Sequence, residues 1–245
     1  MPLSILPTRS CNSENQRPTL PNYHLGLRLT GAPQIDEEGF VGREREFEKL
    51  RTLLAPSPNR QNVVALYGLG GMGKTQLSVQ FATRFWKTYS SVFWLNAKDE
   101  NTLKASLVAL AAQVVDNYTS SDTHEEDRMM EQARQWLSQA ENDRWLLVYD
   151  NYDDPHLPGI PSSTGYDIRR FFPHRVHGSI LITTRSPRIT FAKQLRLEKL
   201  DDVDQGLKIL AARSGREVGG GKENCFQRRI SFIANYHTPP YRKVW

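Results

Sequence analysis

"NVVALYGLGGMGKTQLSVQFA", residues 62–82, joins a short apolar run to an amphipathic helical pattern through a loop dense in glycine. Val63 to Tyr67 suits a buried strand. Gly68-Leu69-Gly70-Gly71-Met72-Gly73-Lys74-Thr75 fills every fixed position of G-x-x-x-x-G-K-[ST], and each part of that pattern has its own physical task. Gly68, Gly70, Gly71 and Gly73 permit positive φ angles and let bare backbone N–H groups close round an anion. Lys74 reaches β and γ phosphates, and the Thr75 hydroxyl is a ligand for Mg²⁺. Leu77, Ser78, Phe81, Ala82 and Phe85 then fall on one helical face, so the loop opens onto a helix N-terminus whose dipole favours phosphate. A chance lysine in a flexible glycine turn would not explain this strand, loop and helix in sequence. We therefore count Gly68, Gly70 to Thr75 and the adjoining Gln76 as nucleotide contacts.

A phosphate loop that uses Mg²⁺ needs a carboxylate at the end of another buried strand. "WLLVYDNYDD" supplies one: Trp145 to Tyr149 is continuously apolar and ends in Asp150, at the carboxyl end where parallel sheets bind their ligands. Thr75 and Asp150 are the expected metal ligands. A third unit, "GSILITTRS", reads as a strand over Ser179 to Ile182 with Thr183, Thr184 and Arg185 emerging at its end. A guanidinium placed there forms bidentate bonds to a γ phosphate, or else merely caps the strand at the surface. "SVFWLN" is a further strand; Leu103, Leu107, Leu110 and Val114 form one helical stripe, and Met130, Ala133, Trp136 and Leu137 another. Strands alternating with helices predict a doubly wound parallel sheet.

Composition narrows the setting. The 245 residues are 38% hydrophobic with a net charge of +5, and the basic residues are dispersed, so nucleic acid is not an expected partner. Cys11 and Cys225 are the only cysteines, which excludes a disulfide framework and fits a reducing compartment such as the cytoplasm. No uninterrupted apolar run approaches the roughly 18 residues of a membrane span, and Pro2 and Pro7 break the opening stretch as a secretory signal. His174 and His177 have the spacing of a metal pair but lack a third ligand nearby.

Taken together, "GFVGREREFEKL", the phosphate loop, "VFWLNA", "WLLVYDNYDD", "GSILITTRS" and "LRLEKLDDVDQGLKIL" resemble the NB-ARC nucleotide-binding domain of STAND-type signalling NTPases, with wording most similar to fungal NOD-like receptors. The resemblance implies a three-layer α/β P-loop NTPase domain over 38–215 with a mainly parallel sheet. Poorly ordered segments are expected at 1–37 and 216–245. It implies that Phe40, Val41, Gly42 and Arg43 contact adenine and fix the nucleotide, that Lys74, Asp150 and Arg185 serve any catalysis, and that Arg185 is the sensor arginine. Read without the family, Gly42 marks only the entry to a helix carrying Phe47, Leu50, Leu53 and Leu54.

Two departures from the family pattern stand out. Many members carry a second acid directly after the metal aspartate, whereas here that residue is Asn151, and an amide cannot act as a general base; Asp153 and Asp154 are the remaining candidates. After Gly215 the chain reads "REVGGGKENCFQRRISFIANYHTPPYRKVW" in place of the family's following domains, an irregular basic tail that reads as a truncated or alternatively spliced end or a gene-model artefact. The expected function is an ADP/ATP-binding molecular switch of a non-self-recognition or regulated-cell-death type, using Mg²⁺ and hydrolysing ATP weakly at most, with protein partners or self-assembly as its output. The alternatives are an ordinary P-loop ATPase or kinase and a non-catalytic nucleotide-binding adaptor. Under all of these readings Lys74→Ala abolishes nucleotide binding and leaves the fold formed, because the side chain addresses phosphate rather than core; titration with fluorescent ADP, alongside circular dichroism, checks both halves.

Overall fold

Alternation along the strands divides the apolar residues into two sets, and each set builds one core. Val64, Leu66, Val92, Trp94, Leu146, Val148, Leu181 and Leu195 turn to one side of the sheet. Ala65, Phe93, Leu95, Trp145, Leu147, Tyr149, Ile180 and Ile182 turn to the other, as a period of two requires. A sheet buried on both faces has to be covered twice, and the helices do this in pairs.

The computed structural model describes residues 22–35, 40, 42–114, 123–156, 165–199 and 206–207. Its strands are β1 (Gly26–Arg28), β2 (Asn62–Tyr67), β3 (Ser91–Asn96), β4 (Trp145–Asp150), β5 (Ser179–Thr184) and β6 (Lys193–Arg196). Its helices are α1 (Glu44–Leu53), α2 (Lys74–Phe85), α3 (Glu100–Val114) and α4 (Thr123–Leu137). The strands lie in the order β1-β3-β4-β5-β2-β6, and every pairing is parallel. Phe47 and Leu50 of α1 and Leu77 and Phe81 of α2 cover one face. Leu103, Leu107 and Leu110 of α3 and Met130, Ala133 and Trp136 of α4 cover the other. The expected three-layer α/β domain with a parallel sheet is the fold found, and the helical stripes at Leu77, Leu103 and Met130 are the faces that pack.

The two edges depart from the reading by sequence. Segment 1–37, taken as flexible, supplies β1, whose residues pair Gly26 with Ser91, Leu27 with Val92 and Arg28 with Phe93. Ser91 anchors the approach to it, its hydroxyl donating to the Tyr23 carbonyl at 2.8 Å and accepting from the Leu25 amide at 3.0 Å. Three residues carry no periodic signal, so only the neighbouring strand reveals them. β6 was likewise not read as a strand; with pattern Lys-Gln-Leu-Arg it buries only Leu195. Strand β5 runs two residues further than expected, and Thr183 and Thr184 are buried within it. Val41, the boundaries at 37–38 and 215–216, and the segment 216–245 lie outside the described residues.

Gly178 enters β5 at φ +73°, and a Cβ built on it would stand 2.4 Å from the Trp145 ring. That indole is fully buried and donates to the Leu137 carbonyl at 2.8 Å, closing the end of α4. Gly178→Ala therefore adds a left-handed strain of about 1–3 kcal/mol to an overpacking cost of about 1–3 kcal/mol. A fall of that combined size in unfolding free energy by urea titration is the expected result.

Candidate functional site

All six strands point the same way, so their carboxyl ends share one rim of the sheet, where open α/β folds bind ligands. The phosphate loop follows β2 on this rim. Gly71 and Gly73 adopt φ +77° and +88°, and Gly73 caps α2 without any side-chain hydrogen bond. The first turn of α2 contains no acidic residue and begins with Lys74, whereas α1 places Glu44 and Glu46 in its first turn. Acidic side chains normally satisfy the positive end of a helix. At α2 that end is left for an external anion.

Lys74 Nζ donates to the carbonyls of Gly68 at 2.8 Å and Leu69 at 2.9 Å, so the loop is wrapped round its own lysine. Burial lowers the Lys74 pKa, with Arg185 acting in the same direction and Asp153 and Asp150 opposing. Thr75 Oγ1 donates to Asp150 Oδ1 at 2.9 Å, and Thr183 Oγ1 donates to the same oxygen at 2.6 Å. Burial pushes the Asp150 carboxyl above its ordinary range, while the bonds from Thr183 and Thr75 pull it down. The Thr183 hydroxyl in turn accepts from the Asn151 amide at 2.9 Å, with Asn151 at φ +71°.

A cavity of about 480 Å³ is lined by Gly70, Gly71, Gly73, Lys74, Thr75, Gln76, Asn151, Asp153, Thr183 and Arg185. The donor set suits a phosphorylated ligand with Mg²⁺: backbone amides at a helix start, an ammonium, and the hard oxygens of Thr75 and Asp150. Asp150 meets this cavity through the Thr75 and Thr183 hydroxyls. Arg185 reaches it from the end of β5, where its backbone amide donates to Asp153 Oδ1 at 2.6 Å and its Nε donates to Asp153 Oδ2.

Gly68 and Met72 face a neighbouring cavity of about 630 Å³, which Arg185 also lines together with Leu197 and Glu198. Gly68 has a backbone reason to lack a side chain, since a Cβ there would lie 2.9 Å from the Leu197 carbonyl. Phe40 packs against Phe47 with tilted rings, centroids 5.6 Å apart, and Gly42 and Arg43 both have positive φ. Arg43 donates to the Glu198 carbonyl at 2.8 Å and to Glu46 at 3.1 Å. It is thus tied to the rim of the second cavity, while the phosphate cavity gathers Lys74, Thr75 and Arg185. His174 and His177 do not act as a pair: His174 meets Glu131 at 2.9 Å and His177 the Leu137 carbonyl at 2.9 Å.

Thr183 is the site residue that reading by sequence passed over. The adjacent strands β4 and β5 pair Tyr149 with Ile182, which sets Thr183 beside Asp150; the hydroxyl at a strand end was visible, its neighbour was not.

The NB-ARC domain family matches residues 43–203. A nucleotide-binding leucine-rich repeat (NLR)-like protein of Hyaloscypha variabilis is 31% identical over 157 residues, covering 60% of this chain and 16% of that protein. A late blight resistance protein homolog of Solanum demissum is 26% identical over 198 residues, covering 76% of this chain and 14% of that protein. The chain thus spans a small part of the curated relatives it matches. Among solved structures, the Aeropyrum pernix ORC1 protein in complex with DNA superposes with a TM-score of 0.50 at 20% identity, over 83% of this chain and 56% of that one; the likeness concerns the fold. Among the described residues no helix is long and apolar enough to cross a membrane.

The raised Asp150 carboxyl predicts a trade-off. A group with a raised folded-state pKa contributes stability that is complete below its unfolded value and is lost as pH rises through the folded one. Asp150→Asn keeps an oxygen for both hydroxyls and removes that loss. Its thermal midpoint is expected to gain on the parent's as pH rises from about 4 to neutrality, while Mg²⁺-dependent nucleotide binding disappears; scanning calorimetry across pH reads the first effect and ADP titration with and without Mg²⁺ the second.

Proposed function

The chain belongs to the NB-ARC family, and on that premise we propose that it is the ADP/ATP-binding switch of a NOD-like signalling protein in non-self recognition or regulated cell death, working in the cytoplasm through protein partners or self-assembly. The observation that carries this reading is the convergence of Lys74, Thr75 and Arg185 on one cavity at the start of α2, with Asp150 bonded to Thr75 at its wall. Backbone amides and Lys74 would hold the phosphates, and Thr75 with Asp150 would hold Mg²⁺. Bound there, the metal would neutralise phosphate charge. Phe40 to Arg43 would meet the adenine end.

Slow turnover fits the same geometry. Asn151, which follows the metal aspartate, presents an amide where a general base for the attacking water would be needed, and its backbone is committed to Thr183. A switch gains from this arrangement, since a nucleotide state has to persist long enough to select a conformation. It also requires different affinities in the two conformations, because a ligand that binds both equally shifts neither.

Arg185→Ala is expected to weaken ATP more than ADP by about 1.5–3 kcal/mol, the size of a charged hydrogen bond, in calorimetric titrations with Mg²⁺. Phosphate release by the parent chain is expected to stay below the ordinary enzyme range of about 1–10³ s⁻¹, and a rate inside that range would favour an ordinary ATPase.

A further inference from the structure

Asp153 sits between two fixed points. Before it, Tyr152 is buried, its amide donates to the Thr183 carbonyl at 2.9 Å, and its hydroxyl donates to the Tyr166 carbonyl at 2.6 Å. After it, Pro155 bridges to Tyr166 and the His156 amide donates to the same Tyr166 carbonyl at 3.0 Å. Tyr166 is itself held by a hydroxyl bond to the Ala97 carbonyl at 2.7 Å. The Asp153 carboxylate is thereby positioned from both sides and by the Arg185 amide at 2.6 Å. Its side chain is 18% exposed, against 63% for Arg185. Of the two partners, the guanidinium is the one with room to move.

Both side chains face the phosphate cavity together with Lys74 and Thr75. Asp153 Oδ2 accepts from the guanidinium Nε and so occupies one of the donors that a terminal phosphate would engage. We propose that Asp153 is a specificity-determining residue that stands in for the γ phosphate on Arg185. A γ phosphate that engages Nε displaces this carboxylate, whereas a diphosphate leaves the pair intact. Asp153 thus biases the site toward the diphosphate and sets how much a triphosphate must supply before the arginine changes partner. The inference rests on the reading that Arg185 faces the terminal phosphate, and it adds the residue that opposes that contact.

The test is a double-mutant cycle on the full chain, with Kd measured for ADP and for a non-hydrolysable ATP analogue in the presence of Mg²⁺. Asp153→Asn is expected to tighten the triphosphate analogue by about fivefold, the upper range for a partly exposed ion pair, and to leave ADP within about twofold. In the Arg185→Ala background the same substitution is expected to produce no such gain. An equal change for both nucleotides, no change at all, or a gain that persists without Arg185 overturns the proposal, the last because it would show simple charge repulsion. Asp153→Ser serves in the same cycle if the asparagine variant does not fold. Binding of neither nucleotide by the parent chain sinks the switch reading and this proposal with it. Parent binding that Lys74→Ala removes upholds the phosphate site whatever Asp153→Asn does, so the two failures are distinguishable.

Discussion

One carboxylate oxygen joins the three parts of the site. Asp150 Oδ1 accepts from Thr75 at the start of α2 and from Thr183 at the end of β5. In the sheet, β5 separates β4 from β2, so the phosphate loop and Asp150 are not on adjacent strands. The start of α2 reaches over the end of β5, and the shared oxygen closes the gap. Burying a carboxylate with hydroxyl partners alone is costly, since hydroxyls satisfy its lone pairs without neutralising its charge. A core designed for stability would place an apolar or amide group here. The arrangement makes sense when a cation joins the oxygens, which is the chemistry that Thr75 and Asp150 share.

The rest of the rim is arranged around the same electrostatic deficit. The positive end of α2 has no acidic side chain to complement it, while α1 has two. Among the described residues, Lys74 donates to loop carbonyls, and Arg185 is held at the cavity wall by Asp153. Each cation therefore has an internal partner that a phosphate can replace. Binding becomes an exchange of partners, so affinity depends on how well the internal partners hold, and this differs from one cation to the other. Backbone carbonyls carry partial charge, whereas Asp153 carries a full one. Exchange at Lys74 is the easier step and exchange at Arg185 the harder.

The second cavity lies beside the first, and Arg185 lines both. Arg43 is tied to its rim through the Glu198 carbonyl, so the start of α1 and the segment after β6 are linked although 155 residues separate the two partners. The described residues thus bring Lys74, Thr75 and Arg185 to one cavity and place Arg43 against the segment after β6. These are different elements, and a ligand spanning both would couple them.

Much of this was legible in the chain itself. Four central strands are continuous apolar runs, and four amphipathic stripes name the helix faces, because burial on a fixed period leaves its mark on composition. The phosphate loop was equally plain, since positive φ, bare backbone and a single ammonium can be met by few residue types. The edge strands β1 and β6 left no such mark: three and four residues, exposed on one side, are strands only because Ser91 to Phe93 and Val64 to Tyr67 offer them hydrogen bonds. Sequence also named Asp150, Asp153 and Arg185 without saying which would touch. Strand order and register decided that Thr183 and Thr75 meet Asp150, and that Arg185 meets Asp153, because in a parallel sheet neighbours in space come from distant parts of the chain and no local pattern encodes the pairing.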